Sequence, residues 1–214
     1  MGSTDAHQHD HRHLHLPNHH AHHKGFSGVS GLLAALMFTI GRGEDAELAV
    51  RLTGTGAGDD VVDLGCGPGV AARAAARAGA ASVRAVDPSA MMLRVGRLIP
   101  GRGARVRYRD GSAEAIPLAD DSASVVWSIA TVHHWKDVDQ GLAEVRRILR
   151  PGGRFLAIER HTTADATGVK SHGWVDEQAA EFAERCVAAG LGTPEIGQHA
   201  TRRAPFLTIL ARDA

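Results

Sequence analysis

The stretch Val61-Val62-Asp63-Leu64-Gly65-Cys66-Gly67-Pro68-Gly69 constrains this chain more than any other. Gly58, Asp59 and Asp60 carry turn chemistry, and Val61, Val62 and Leu64 are strand formers. The alanine-rich run Val70 to Ala78, with Arg73 and Arg77 at helical spacing, predicts a helix. A strand, a glycine turn and a helix in that order predict an α/β fold with a ligand at the carboxyl end of a parallel sheet. The glycine spacing narrows the ligand. A dinucleotide fingerprint reads G-x-G-x-x-G, but here Val70 stands at the third glycine position. Asp63 would repel a pyrophosphate and attract an ammonium group.

The sequence D-L-G-C-G-P-G at this turn resembles the first motif of the class I S-adenosylmethionine-dependent methyltransferases, in particular the ubiquinone/menaquinone-type group. Later segments extend the resemblance. Asp110-Gly111-Ser112-Ala113-Glu114-Ala115-Ile116-Pro117 is similar to the adenine-side motif G-D-A-E-x-L-P, with Ser112 in place of the aspartate. Ala130-Thr131-Val132-His133-His134 and Leu149-Arg150-Pro151-Gly152-Gly153-Arg154-Phe155 are similar to two further family segments. The resemblance implies a Rossmann-like, doubly wound, seven-stranded, mostly parallel sheet with an antiparallel last strand in an α/β/α sandwich. It implies S-adenosyl-L-methionine as cofactor and a small, apolar organic molecule as methyl acceptor. The cofactor-binding set it implies is Asp63, Gly65, Cys66, Gly67, Gly69, Asp87, Pro88, Met92, Gly111, Ser112, Ala113 and Ser128.

Asp87 ends the predicted strand Ser82 to Val86 and follows Gly67 by twenty residues, the interval at which a carboxylate meets a ribose. It also precedes the predicted helix Ala90 to Leu98, so an N-cap role is compatible. Met92 is a wall residue of the adenine site or a core residue. Cys66 reads as a small turn residue. His133 and His134 are the candidates for taking a proton from the acceptor; the alternative is a histidine that braces the turn. No metal site is expected in the folded part.

The chain is 214 residues long, with 43% hydrophobic and 22% charged residues and a formal net charge of zero. That balance gives no general attraction to nucleic acid or anionic membrane. Two cysteines and no signal-like start suit a cytoplasmic protein. The arginines 102, 105, 107 and 109 alternate along one predicted strand, and no aromatic platform accompanies them. Charge of this kind marks a sheet edge better than a nucleic-acid surface.

Residues 1–24 hold nine of the fourteen histidines and read as a disordered tail able to bind divalent metal weakly. Residues 25–57 read as an N-terminal helical segment that packs on the core or closes over the site, and residues 58–214 as the S-adenosylmethionine-binding domain. The remaining expected elements are a helix over Asp45 to Leu52, strands over Ala123 to Ile129 and Arg154 to Glu159, and a helix after an Asp137 cap. Another helix is expected over Trp174 to Ala189, then strands over Glu195 to His199 and Phe206 to Ala211. Three other readings compete: a non-catalytic S-adenosylmethionine-binding protein, a metal-binding protein acting through the tail, and a nicotinamide oxidoreductase. Oligomeric state is not encoded legibly.

Overall fold

A computed structural model describes residues 43–99, 106–167, 172–202 and 204–212. The histidine tail, the apolar segment at 32–40, Arg102 and Arg105 lie outside the described residues. The elements are α1 (Gly43–Thr53), β1 (Asp60–Leu64), α2 (Val70–Arg77), β2 (Ser82–Asp87), α3 (Ala90–Leu98), β3 (Val106–Asp110) and β4 (Ala123–Ile129). A 3₁₀ turn (Val132–His134) follows, then α4 (Val138–Ile148), β5 (Leu149–Arg160), α5 (Asp176–Ala188), β6 (Glu195–Ala200) and β7 (Pro205–Arg212).

The strands form one seven-stranded sheet in the order β3-β2-β1-β4-β5-β7-β6. All neighbours up to β5 pair in parallel, whereas β7 pairs antiparallel with both β5 and β6. The order reverses between β1 and β4, and α/β sheets bind ligands at such a reversal. The expected fold class is therefore the observed one.

Alternation along each strand divides the core into two layers. Val62, Leu64, Val126 and Phe155 face a layer built by α4 and α5, with Leu142, Val145 and Phe182. Val61, Val83, Val125 and Trp127 face the opposite layer, where Leu48, Ala72, Ala75 and Leu93 come from α1, α2 and α3. The small alanines of α2 let that helix lie close to the sheet. The described part of segment 25–57 thus includes a helix, α1, set in this core layer. β3 is an edge strand. Arg107 and Arg109 on it are exposed while Val106 is buried, as their alternation predicts.

Two element starts and one helix cap differ most instructively from the sequence reading. β5 begins at Leu149, which pairs with Ala123 before an irregularity carries the chain to the Val125–Arg154 pairing. Gly152 accommodates it at φ +74°. α5 begins at Asp176 and not at Trp174. The Trp174 N–H donates to Arg160 O at 2.8 Å and its carbonyl accepts from Thr162 N–H at 2.9 Å, so a bridge to the end of β5 claims the residue. Its fully buried ring packs 4.9 Å from that of Phe182. Helix α4 is capped by Asp137 Oδ1, which accepts from Gln140 N–H at 3.0 Å, and the Asp137 N–H donates to Glu114 Oε1 where a full capping box would use the Gln140 side chain.

Charge is concentrated at the amino end of β1. Asp60 accepts from Ser82 Oγ and pairs with Arg150, while Asp59 accepts from Ser124 Oγ at 2.8 Å and pairs with Arg154. The Ser82 hydroxyl first, and then Arg150, hold Asp60 below the ordinary carboxylate range. A carboxyl depressed in the fold stabilises it above its unfolded pKa and loses that contribution as pH falls through its folded value. Asp60→Ala is therefore expected to cost about 1 kcal/mol at neutral pH, the upper end for solvent-screened pairs. Urea midpoints of the two proteins should converge as pH falls through and below the ordinary aspartate range. A constant gap across the titration would contradict the assignment.

Candidate active site

β1 ends at Leu64, and the chain turns back through Gly65, Gly67 and Gly69 at φ +72°, +50° and +79°. Such left-handed conformations cost an L-residue about 1–2 kcal/mol each, which explains the glycine pattern. The N–H groups of Gly65 and Cys66 both donate to Val86 O, at 2.8 and 3.0 Å, so the turn is fastened to β2.

Two of the glycines serve different purposes. A Cβ on Gly65 would lie 2.6 Å from Thr131 Cγ2, whereas one on Gly67 would have nothing within 4 Å. Gly65 makes room for protein and Gly67 fronts open space. Gly65→Ala is therefore expected to lower stability by about 2–4 kcal/mol through combined strain and overpacking. Gly67→Ala should lose only about 1–2 kcal/mol. Equal urea midpoints for the two variants would remove this distinction.

Asp87 is 8% exposed and joins turn to helix. Its Oδ2 accepts from Gly67 N–H and its Oδ1 from Ser89 N–H, both at 2.8 Å. Ser89 itself caps α3, its Oγ accepting from Met92 N–H at 3.4 Å. Each carboxylate oxygen has two acceptor sites, so both can accept again. Burial raises the Asp87 pKa despite these bonds, and Asp110 adds to the rise. Asp63 is buried behind the turn, with Oδ2 accepting from Ala72 N–H at 2.8 Å in the first turn of α2. It does for α2 what an N-cap side chain would do, since the N-cap position is Gly69.

The other expected residues are spread around this centre. Cys66 is buried, its Sγ donates to Gly67 O at 3.3 Å, and burial pushes its thiol pKa well up, which disfavours a nucleophilic thiolate. Pro88 is exposed, and Met92 is buried at the start of α3. Gly111 N–H approaches Asp87 O at 3.4 Å, so the segment expected at the adenine adjoins the residue expected at the ribose. Ser112 bridges to Ala115, and its hydroxyl helps to hold the Glu114 carboxyl below its ordinary range. The Ala113 side chain belongs to the core. Ser128 is fully enclosed and its hydroxyl lies 2.8 Å from Thr131 Oγ1, which also reaches Leu64 O at 3.3 Å. Ser128 thus braces the end of β1.

His133 is 2% exposed and His134 is exposed. His133 Nδ1 lies 2.8 Å from Glu159 Oε2, and Glu159 Oε1 accepts from Val132 N–H at 2.9 Å. Glu159 is fully buried near the end of β5. Ala130, immediately before this turn, holds φ +52° and donates its N–H to Ile158 O at 2.7 Å. The sequence reading assigned no part to Glu159, Thr131 or His172. An acid directly after the apolar run Phe155 to Ile158, inside the expected strand, was the legible signal for Glu159, because a buried carboxylate needs partners.

These residues fit an adenosyl amino acid. A buried carboxylate stands beside the open face of Gly67, and the turn contains no third-position glycine for a pyrophosphate. Residues 62–157 match the model of the methyltransferase domain family. Over 116 residues the chain is 41% identical to the ubiquinone/menaquinone biosynthesis C-methyltransferase UbiE of Rubrivivax gelatinosus, covering 54% of this chain and 45% of that one. Over 102 residues it is 40% identical to the dimethylglycine N-methyltransferase of Parasynechococcus marenigrum, covering 46% of this chain and 36% of that one. The matched part thus spans less than half the length of either relative. A solved structure of a SAM-dependent methyltransferase from Aquifex aeolicus superimposes with a TM-score of 0.69 at 16% identity, over 85% of this chain and 97% of that one. Crossover turn, strand order and family match together make residues 62–157 similar to the methyltransferase domain family.

Proposed function

We propose that the protein transfers a methyl group from S-adenosylmethionine to a small, largely apolar organic acceptor. The observation that carries this reading is the buried Asp87 carboxylate, bonded to the Gly67 N–H beside the open face of the turn. In this reading Asp87 accepts from the ribose hydroxyls and Gly65 to Gly69 enclose the methionine end. Asp63 keeps negative charge behind that turn, and Gly111 to Ala113 border the adenine. The cofactor, when bound, supplies a methyl carbon made electrophilic by its sulfonium. The protein contributes alignment and exclusion of water. In this reading His133 and His134 are the candidates for taking a proton from the acceptor. The similar identity to a C- and an N-methyltransferase supports a shared cofactor half and leaves the acceptor to residues outside the match.

Calorimetric titration with S-adenosylhomocysteine tests the proposal, with NAD as the comparison. Saturable heat with the first and none with the second is expected, and the converse would end the reading. A pH series adds a second check. Because burial raises the Asp87 pKa, the acceptor form is lost on acidification earlier than for an ordinary aspartate. Affinity for S-adenosylhomocysteine should begin to fall above the ordinary value of 3.8. Flat affinity down to that value would remove Asp87 from the contact. Among the described residues no helix is long and apolar enough to cross a membrane.

A further inference from the structure

Five histidines lie outside the tail: His133, His134, His161, His172 and His199. Three of them converge. His133 and His134 come from the turn after β4, and His172 comes from the segment between β5 and α5. The ring centroids of His133 and His134 are 4.1 Å apart, and that of His172 is 5.4 and 5.6 Å from them. One nitrogen from each ring lies within 4.8 Å of the other two.

We propose that His133, His134 and His172 form a binding site for one divalent transition-metal cation of the zinc type. Imidazole is a preferred donor for zinc, copper and nickel. Three histidines that leave a fourth position open are the donor set of reactive zinc sites, not of closed structural ones. Tetrahedral zinc with bonds of about 2.0–2.1 Å sets its ligand nitrogens about 3.3 Å apart. The cluster reaches that spacing by closing roughly 1 Å or somewhat more, which rotation of the more exposed His134 and His172 rings supplies.

Glu159 is the second, independent observation. An ionised carboxylate only accepts, so its contact to His133 puts the proton on Nδ1 and makes Nε2 the coordinating atom. Metal-bound histidines are characteristically held this way, by a carboxylate on the other ring nitrogen. The fully buried Glu159 is itself fixed by the Val132 N–H, so the ring orientation is set before any ligand arrives. A dication would also place positive charge beside a carboxylate enclosed in the core. His133 and His134 lie just past Thr131, which touches the end of β1, so the cluster adjoins the crossover turn. A metal there would orient an acceptor bearing an oxygen or nitrogen donor. That last role rests on the methyl-transfer reading, whereas metal binding does not.

Nine tail histidines would compete for the probe, so the test uses the full-length chain with those histidines changed to asparagine. Cobalt(II) is the probe, read by visible ligand-field absorption and by metal content after dialysis. We expect one cobalt per chain. His172→Ala in the same background should weaken binding at least 100-fold. Glu159→Gln should weaken it about 10–100-fold, the usual effect of losing such an outer partner. The glutamine amide would donate to Nδ1 and move the ring proton to Nε2. Should that variant fail to fold by circular dichroism, His134→Ala, at an exposed position, takes its place with an expected loss like that of His172→Ala. No saturable cobalt, or His172→Ala titrating like its parent, overturns the site. Each protein is also titrated with S-adenosylhomocysteine. A parent that binds this ligand but no cobalt refutes the metal site alone, and one that binds cobalt but not this ligand refutes the methyl-transfer reading alone.

Discussion

Asp87→Asn is expected to lower affinity for S-adenosylhomocysteine by about 100-fold or more. The carboxylate now meets two backbone donors, Gly67 N–H and Ser89 N–H, and no carboxamide can do so. One face of an amide is itself a donor, so one of the two N–H groups would confront an NH₂. A hydrogen bond to a charged group contributes about 1.5–3 kcal/mol, and leaving a buried donor unmet costs about 1–3 kcal/mol. Part of that loss falls on the fold and part on the ligand, because Gly67 belongs to the turn that receives it. A ribose contact weakened together with a displaced turn amounts to about 3 kcal/mol, or a factor of about 100. Calorimetry reads the affinity, and urea unfolding read separately should show a loss of about 1–3 kcal/mol. Affinity within threefold of the parent would exclude Asp87 as the ribose residue, whatever the stability.

Glu159→Ala is the variant with the largest expected cost in stability, about 3–5 kcal/mol, the range for removing one member of a buried pair. Three losses combine there. Val132 N–H loses its acceptor, His133 Nδ1 loses the group that fixes its ring, and a cavity opens near the end of β5. Glu159→Gln should cost less, because its amide oxygen still accepts from Val132 N–H. Urea midpoints in the order parent, glutamine, alanine are the expected result. An alanine variant within 1 kcal/mol of the parent would mean that the turn carrying His133 and His134 is held by other contacts. The prediction concerns the fold, so it stands apart from cobalt binding.

What was readable from the residues follows a physical pattern. Segments whose fate depends on neighbours in sequence were legible. The crossover turn needed three left-handed residues, and glycines mark it. Helix α3 was bounded by Asp87, Ser89 and a run of helix formers, and β4 was a short run centred on Val125, Val126 and Trp127. The arginine alternation in β3 announced an edge strand because charged side chains need water, which an edge supplies, and discourage pairing with a further strand.

Elements that depend on contacts distant in the chain were not legible in the same way. Trp174 has the spacing of a helix start, yet the bridge to Arg160 and burial against Phe182 keep it outside the helix. Leu149 looked like a helix end and also opens β5, since Ala123 offers it a ladder partner. Asp87 could be read as a ribose residue or a cap; only the return of Gly67 over β2 shows that its two oxygens serve turn and helix together.

The amino-acid order by itself therefore determined the α/β class, the place of the glycine turn and the chemistry of the ligand it suits. Those follow from backbone conformation and charge within a few residues. Tertiary structure alone decided that Glu159 orients His133 and that His172 joins the histidine pair. These partners lie 26 and 39 residues from His133, and their meeting is set by the pairing of β4 with β5 and the path of the chain after β5. No local preference encodes such a meeting, because burial of the whole sheet fixes it.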